Sequence, residues 1–212
     1  NFKRHSKKKS ISFFAIGANE TENLNQALKL LERYKSRENT NLYVFSTKLE
    51  SELLLSSTEK GAVRVRRINE VQSLINRILY ERGEIIFESA RDNSEGEKDI
   101  SAIMIGMGSH GTEMLKALSW FGQMDGYRLE INAFDRDPLA EEKFVATSPE
   151  LMSEKFNGTQ YNIRIHSDVD VYTNAFAKKI GEIKNATYVF VALGNDDVNI
   201  ETAVKIRMYF ER

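Results

Sequence analysis

The order of apolar and polar positions changes period several times along the chain. The stretch "ISFFAIG" (11–17) is a short apolar run closed by Gly17 and predicts a buried strand. Polar residues Asn19 to Asn23 follow as helix-start candidates, and Leu24, Ala27, Leu28 and Leu31 then keep helical spacing. "NLYVFS" (41–46) predicts the next strand and "LESELLLSS" a short helix. In "AVRVRRI", Val63 and Val65 share one face and Arg64 and Arg66 the other, the alternation of a strand. Val71, Leu74, Ile75, Ile78 and Leu79 make one stripe of a long helix over 69–82, ended by Gly83. "EIIFE" predicts a further strand.

The polar, turn-rich "SARDNSEGEKD" (89–99) predicts a linker, and the rhythm restarts behind it. Strands are expected at 101–105, at 129–134, in "YNIRIH" and in "YVFVALG". Helices are expected at 112–120, in "VYTNAFAKKI" and in "VNIETAVKIRMYFER", with a charged, partly helical stretch broken at Pro149. Strands alternating with helices predict the α/β class, with parallel sheets covered by helices on both faces. The expected organisation is a first unit over 1–88, a linker over 89–99 and a second unit over 100–212.

The chain also repeats itself. Phe14-Ala15-Ile16-Gly17 answers Val191-Ala192-Leu193-Gly194, Asn23-Leu24 answers Asn199-Ile200, and Ala27-Leu28-Lys29-Leu30 answers Ala203-Val204-Lys205-Ile206. Unlike material lies between the copies, so a solenoid is not expected.

Composition narrows the function classes. With 41% apolar and 29% charged residues the chain reads as an ordinary folded protein rather than a disordered one. A net charge of −1 supplies no field toward nucleic acid or an anionic membrane, and no nucleic-acid partner is expected. The absence of cysteine removes disulfides and thiolate chemistry. The apolar runs are too short to span a bilayer, and the one behind the basic "NFKRHSKKKS" is too short for a signal peptide's core. The expected address is cytoplasmic.

The chemistry concentrates in "ISAIMIGMGSHGTEML", where Gly106-Met107-Gly108-Ser109-His110-Gly111 follows a strand and opens a helix. Gly106 allows a sharp turn, Gly108 leaves room for a phosphate, and Gly111 permits close helix–strand packing. The helix N-terminus adds free N–H groups and a positive dipole end. Asp135 ends the next strand, where a carboxylate accepts both ribose hydroxyls of an adenosine and favours NAD over NADP; Arg136 beside it could meet a 2′-phosphate. The alternative is a tight turn with a solvated aspartate. "HSDVD", with Ser167 and Asp168, and "LGNDD", with Leu193, Gly194 and Asn195, fall at further strand ends of the same sheet edge. His110 and His166 read as polar contacts or surface residues, since neither has metal-ligand spacing or an adjacent nucleophile. There is no P-loop.

"AIMIGMGSHGTEML", "INAFDRDP" and "VFVALGNDDVNIETAVKIR", in that order, resemble the TrkA-N or RCK (regulator of potassium conductance) Rossmann family over roughly 100–212. "FFAIGANETENLNQALKLL" and "VRVRRINEVQSLINRIL" are similar to the back half of such a domain, the helix over 69–82 resembling its crossover helix. The Gly-Asp that commonly ends strand three is here His166-Ser167, with Asp168 one place late. The resemblance implies that the two copies mark one place, the end of a strand four, in two successive partial Rossmann-like units, the second expected in the order 3-2-1-4 and the first as 4-5-6. It implies a tandem-domain regulator that binds NAD or NADH, or else ATP, ADP or AMP. It further implies a homodimer or higher oligomer, peripheral to the membrane through a potassium transporter or channel subunit. Three other readings stand beside it: a nicotinamide-dependent oxidoreductase, a methyltransferase and a structural domain with a degenerate site.

Overall fold

The computed structural model describes residues 9–47, 51, 54, 55, 57–152 and 161–210. The chain divides into two compact units, Asn1–Ser73 and Leu74–Arg212. That division falls inside a helix and not in 89–99.

The first unit runs β1 (Ile11–Ala15), α1 (Glu20–Tyr34), β2 (Thr40–Phe45) and β3 (Val63–Ile68). Its sheet is parallel throughout, in the order β1-β2-β3. Asn19 caps α1 by accepting from the Thr21 and Glu22 N–H groups, which fixes where the helix starts. Ala27 and Leu31 of α1 then bury against Leu42, Val44 and Val63, so one sheet face is dry. On the other face Phe14 stacks on Tyr43 with ring centroids 4.8 Å apart, and Tyr43 is in register with exposed Arg66. Most of the helix expected in "LESELLLSS" lies outside the described residues. Helix α2 (Glu70–Arg82) buries Val71, Ile75 and Leu79 along the predicted stripe.

The second unit holds α3 (Glu84–Glu88), β4 (Arg91–Asp92), β5 (Lys98–Ile105), α4 (Ser109–Phe121), β6 (Tyr127–Phe134) and α5 (Ala140–Thr147). It continues through α6 (Pro149–Met152), β7 (Asn162–His166), α7 (Asn174–Glu182), β8 (Tyr188–Val191) and α8 (Asp196–Phe210). The strands lie in the order β7-β6-β5-β8, all parallel, which is the expected 3-2-1-4. The short β4 adds an antiparallel pair on β5, making this five-stranded sheet mixed. Central β5 ends in four buried residues, Ala102 to Ile105, the continuous apolar run of a strand covered on both faces. Ile103, Ile105 and Phe134 pack with Phe176 and Ile180 of α7 and Ile206 of α8. The class is α/β, Rossmann-like, with two sheets.

Two expectations are corrected. "EIIFE" is the helix α3: the Ser89 N–H returns to the Ile85 carbonyl at 3.0 Å, and Phe87 turns onto Phe121 and Tyr127. A run of three apolar residues, Ile85 to Phe87, without alternation does not distinguish the two states. The stretch 89–99 is not a bare linker, because Arg91 and Asp92 pair with β5, which starts at Lys98. Asn93 turns that hairpin, its side chain accepting from the Glu95 and Glu97 N–H groups. The expected break at Pro149 is present: it separates two helices by opening α6, a position where its missing N–H costs nothing.

Candidate functional site

Everything of interest gathers where β5, β6 and β8 end. At Gly106 the backbone takes φ +90°, and a Cβ there would sit 2.4 Å from the Ala192 carbonyl oxygen, so the turn and the end of β8 touch. A Cβ on Gly111 would lie 1.8 Å from the Gly106 carbonyl oxygen, so α4 starts directly against the turn. Gly108 differs from both: a Cβ there would meet nothing within 4 Å. Gly108 is also the N-cap of α4 and, having no side chain, leaves the first-turn N–H groups without a side-chain cap from that position.

Asp135 is fixed beside this opening. One carboxylate oxygen accepts the Met107 N–H at 2.5 Å and the other the Asp137 N–H at 2.7 Å. The carboxylate is thereby tied to the glycine turn, and each oxygen keeps a further lone pair. Asp137 acts one step behind. Its carboxyl is held below the usual carboxylate range by the Lys143 ammonium, with which it pairs, and by the Leu139 N–H.

The turn borders a cleft of about 700 Å³. Of the residues singled out in the sequence, Gly106, Gly108, Ser109, His110, Asp135, Arg136, Leu193 and Gly194 line it together. Met107 and Gly111 do not; Met107 lines a neighbouring hollow of about 240 Å³ with Lys143, and Gly111 is buried beneath the turn. Ser167, Asp168 and Asn195 do not line the cleft either. The Ser167 hydroxyl accepts the Glu141 N–H in the first turn of α5, and Asn195 caps α8 through the Val198 N–H. Asp168 occupies a left-handed position at φ 58°, its N–H facing the Asp137 carbonyl at 3.4 Å. These oxygens satisfy orphan backbone donors and shape the loops.

Sequence reasoning missed the far wall, Val169 to Tyr172, and Asn199 at the head of α8. Asn199 accepts the Leu193 N–H at 2.7 Å and so folds the strand-end loop back onto its helix. Its signal was present in the internal repeat, where Asn23 is its counterpart. Lys205 ties the two rims by donating to the Val171 carbonyl at 3.0 Å, with its ammonium 5.7 Å from the Tyr172 ring centre. His110 lines the cleft with its Nδ1 3.4 Å from the Ser109 hydroxyl, whereas His166 is not on its walls. Among the described residues no cluster of His, Cys, Asp or Glu could hold a metal, and no helix is long and apolar enough to cross a membrane.

No family model and no curated protein matches the chain. Among solved structures it is similar to the apo form of D-lactate dehydrogenase from Escherichia coli, at 13% identity over 90% of this chain and 67% of the other. The TM-score is 0.30, an overlap too loose to bear on function.

Proposed function

We propose that the cleft binds an adenine nucleotide, NAD or NADH foremost and ATP, ADP or AMP as the alternatives. One observation carries the reading: Gly108 opens onto empty space at a helix N-terminus, beside a carboxylate that backbone N–H groups hold in place. Phosphate oxygens take the N–H groups and dipole end of α4, and the ribose hydroxyls donate to Asp135. Ser109 and His110 add polar contacts at the phosphates, and Arg136 flanks the ribose. Ligands of open α/β sheets sit at this carboxyl edge of the strands.

Binding serves regulation in this proposal. The three motifs shared with the TrkA-N or RCK family support a module whose ligand favours one conformation of an oligomer that controls a potassium transporter or channel. Such control requires the nucleotide to bind one arrangement better than the other. Consumption of NADH with a small carbonyl substrate would replace this reading with an oxidoreductase.

The test is a thermal shift with NADH, NAD, ATP, ADP and AMP. A hundredfold excess over the dissociation constant stabilises by about 2.7 kcal/mol, well within detection. Because a Cβ at position 108 meets no atom, Gly108→Val keeps the unliganded melting temperature and abolishes the ligand-induced shift. No shift with any of the five nucleotides, or an undiminished shift in Gly108→Val, rejects the site.

A further inference from the structure

The β7 end of the same sheet carries a polar cluster that nucleotide contact does not use. The half-buried His166 ring lies over Phe134 with centroids 4.5 Å apart and planes 22° from parallel. Its Nε2 is 3.2 Å from Asn132 Oδ1, and its Nδ1 is 3.3 Å from the Lys179 Nζ. An ammonium only donates, so Nδ1 accepts from Lys179 and the ring's single proton sits on Nε2, donated to Asn132. This arrangement fits a neutral imidazole alone.

The same residue touches the cleft's anchor. Its backbone carbonyl accepts the Asp135 N–H at 3.1 Å, and Phe134, on which the ring lies, is itself a wall of the cleft. The charged groups around the ring are Arg164 on β7 and Lys179 and Glu182 on α7. On β6, Glu130 is engaged by Arg164 at 3.2 Å, while Asn132 and Phe134 are uncharged.

We propose that His166 is a proton-sensitive positioning residue of the nucleotide cleft. Its neutral ring, wedged among Phe134, Asn132 and Lys179, holds the Phe134–Asp135 end of β6, and a second ring proton releases that hold. The inference rests on the nucleotide reading and adds a regulation to it. Protonation forces Nδ1–H against the Lys179 ammonium, so Lys179 must leave. Burial first, then Lys179 and Arg164, keep the imidazole's protonation below its ordinary 6.5, with Glu182 opposing them. A depressed histidine leaves the fold's stability full above that ordinary value, and the stability is withdrawn as pH falls from there through the lower folded-state value. Acid therefore loosens β7 and α7 and weakens binding.

With only three histidines in the chain, imidazole NMR on the intact protein is tractable. His166 should show the Nε2–H tautomer near neutrality and begin to titrate only below the free-imidazole range. NADH and ADP affinities are then measured at about pH 7.5 and at the acid pH at which the NMR titration shows the His166 ring protonated. In the wild type the acid loss should be at least about threefold larger than in His166→Gln, whose side chain takes up no proton there. In Lys179→Met the loss should shrink, because the protonated ring no longer faces an ammonium. An Nδ1–H tautomer near neutrality, or an equal acid loss in all three proteins, overturns the inference while leaving the cleft intact. If none of NADH, NAD, ATP, ADP and AMP binds the wild type at about pH 7.5, the nucleotide reading falls and this inference with it. Should His166→Gln fail to fold, the tautomer and Lys179→Met decide.

Discussion

Two asparagines hold the same clasp in the two units, and their surroundings differ. In the first unit Asn23 Oδ1 accepts the Gly17 N–H at 2.7 Å, while its amide donates to the Gly17 carbonyl at 2.7 Å and the Phe45 carbonyl at 3.1 Å. In the second, Asn199 Oδ1 accepts the Leu193 N–H at 2.7 Å, but the residue lines the cleft. The difference lies next door. Phe45 ends β2, which pairs with β1, whereas β8 pairs with β5 and with no further strand among the described residues. The helices agree: Ala27 is wholly buried under β2, while its counterpart Ala203 is exposed beside Ile200 at 64% and Val204 at 56%. The local sequence therefore determines the clasp, and the neighbouring strand determines whether the clasp is core or surface.

The largest effect that tests this contrast comes from deleting each clasp. Asn23→Ala removes three hydrogen bonds from a side chain only 1% exposed and leaves the Gly17 N–H without its acceptor. The expected cost is about 2–4 kcal/mol in denaturant unfolding, with faster hydrogen exchange at the Gly17 amide. Asn199→Ala, with one clasp bond and water close by, should cost about 1 kcal/mol and expose the Leu193 amide to exchange. It should instead lower nucleotide affinity, since it releases a cleft wall. Equal stability losses would show that β2 adds nothing to the first clasp.

A smaller effect probes the helices. Ala27→Leu forces extra methylenes between α1 and β2 and should cost about 1–3 kcal/mol. Ala203→Leu stands on an exposed face and should stay within about 0.5 kcal/mol of the wild type. Paired denaturation curves read both. A large loss in Ala203→Leu would mean that this face is covered in solution.

The parallel α/β class was legible because buried parallel strands are written as short apolar runs and each was followed by a helix-period stripe, whereas the strand order of the second unit followed from the family resemblance. The glycine turn and Asp135 were legible because their context, strand then turn then helix, is itself readable. Ser167, Asp168 and Asn195 lie off the cleft walls for a physical reason: residues that cap helices and turn loops are the same short polar ones that meet ligands, and both gather at strand ends. The wall from Val169 to Tyr172 stayed hidden since Val169 and Val171 look like core, and they are in fact buried core residues that also edge the cleft. Asn199 escaped as a polar helix residue until its clasp could be compared with that of Asn23.

The smallest expected effect concerns the two glycines that the repeat aligns. Both asparagines reach back six residues, to Gly17 in one unit and to Leu193 in the other, so the clasp matches Gly17 with Leu193. Gly194 lies one place beyond, at φ +79°, with open space where a Cβ would stand. Gly194→Ala therefore meets backbone strain without a clash and should cost about 1 kcal/mol. At Gly17 the added Cβ would lie 3.2 Å from Asn23 Oδ1, a crowding of the clasp itself with no left-handed backbone to relieve. Gly17→Ala should cost a few tenths of a kcal/mol, on the order of 0.5. It should also speed exchange at residue 17, while Gly194→Ala should leave the Leu193 amide protected. Hydrogen exchange at these two amides separates the cases, and protection lost at Leu193 in Gly194→Ala would show that the second clasp depends on the glycine after all.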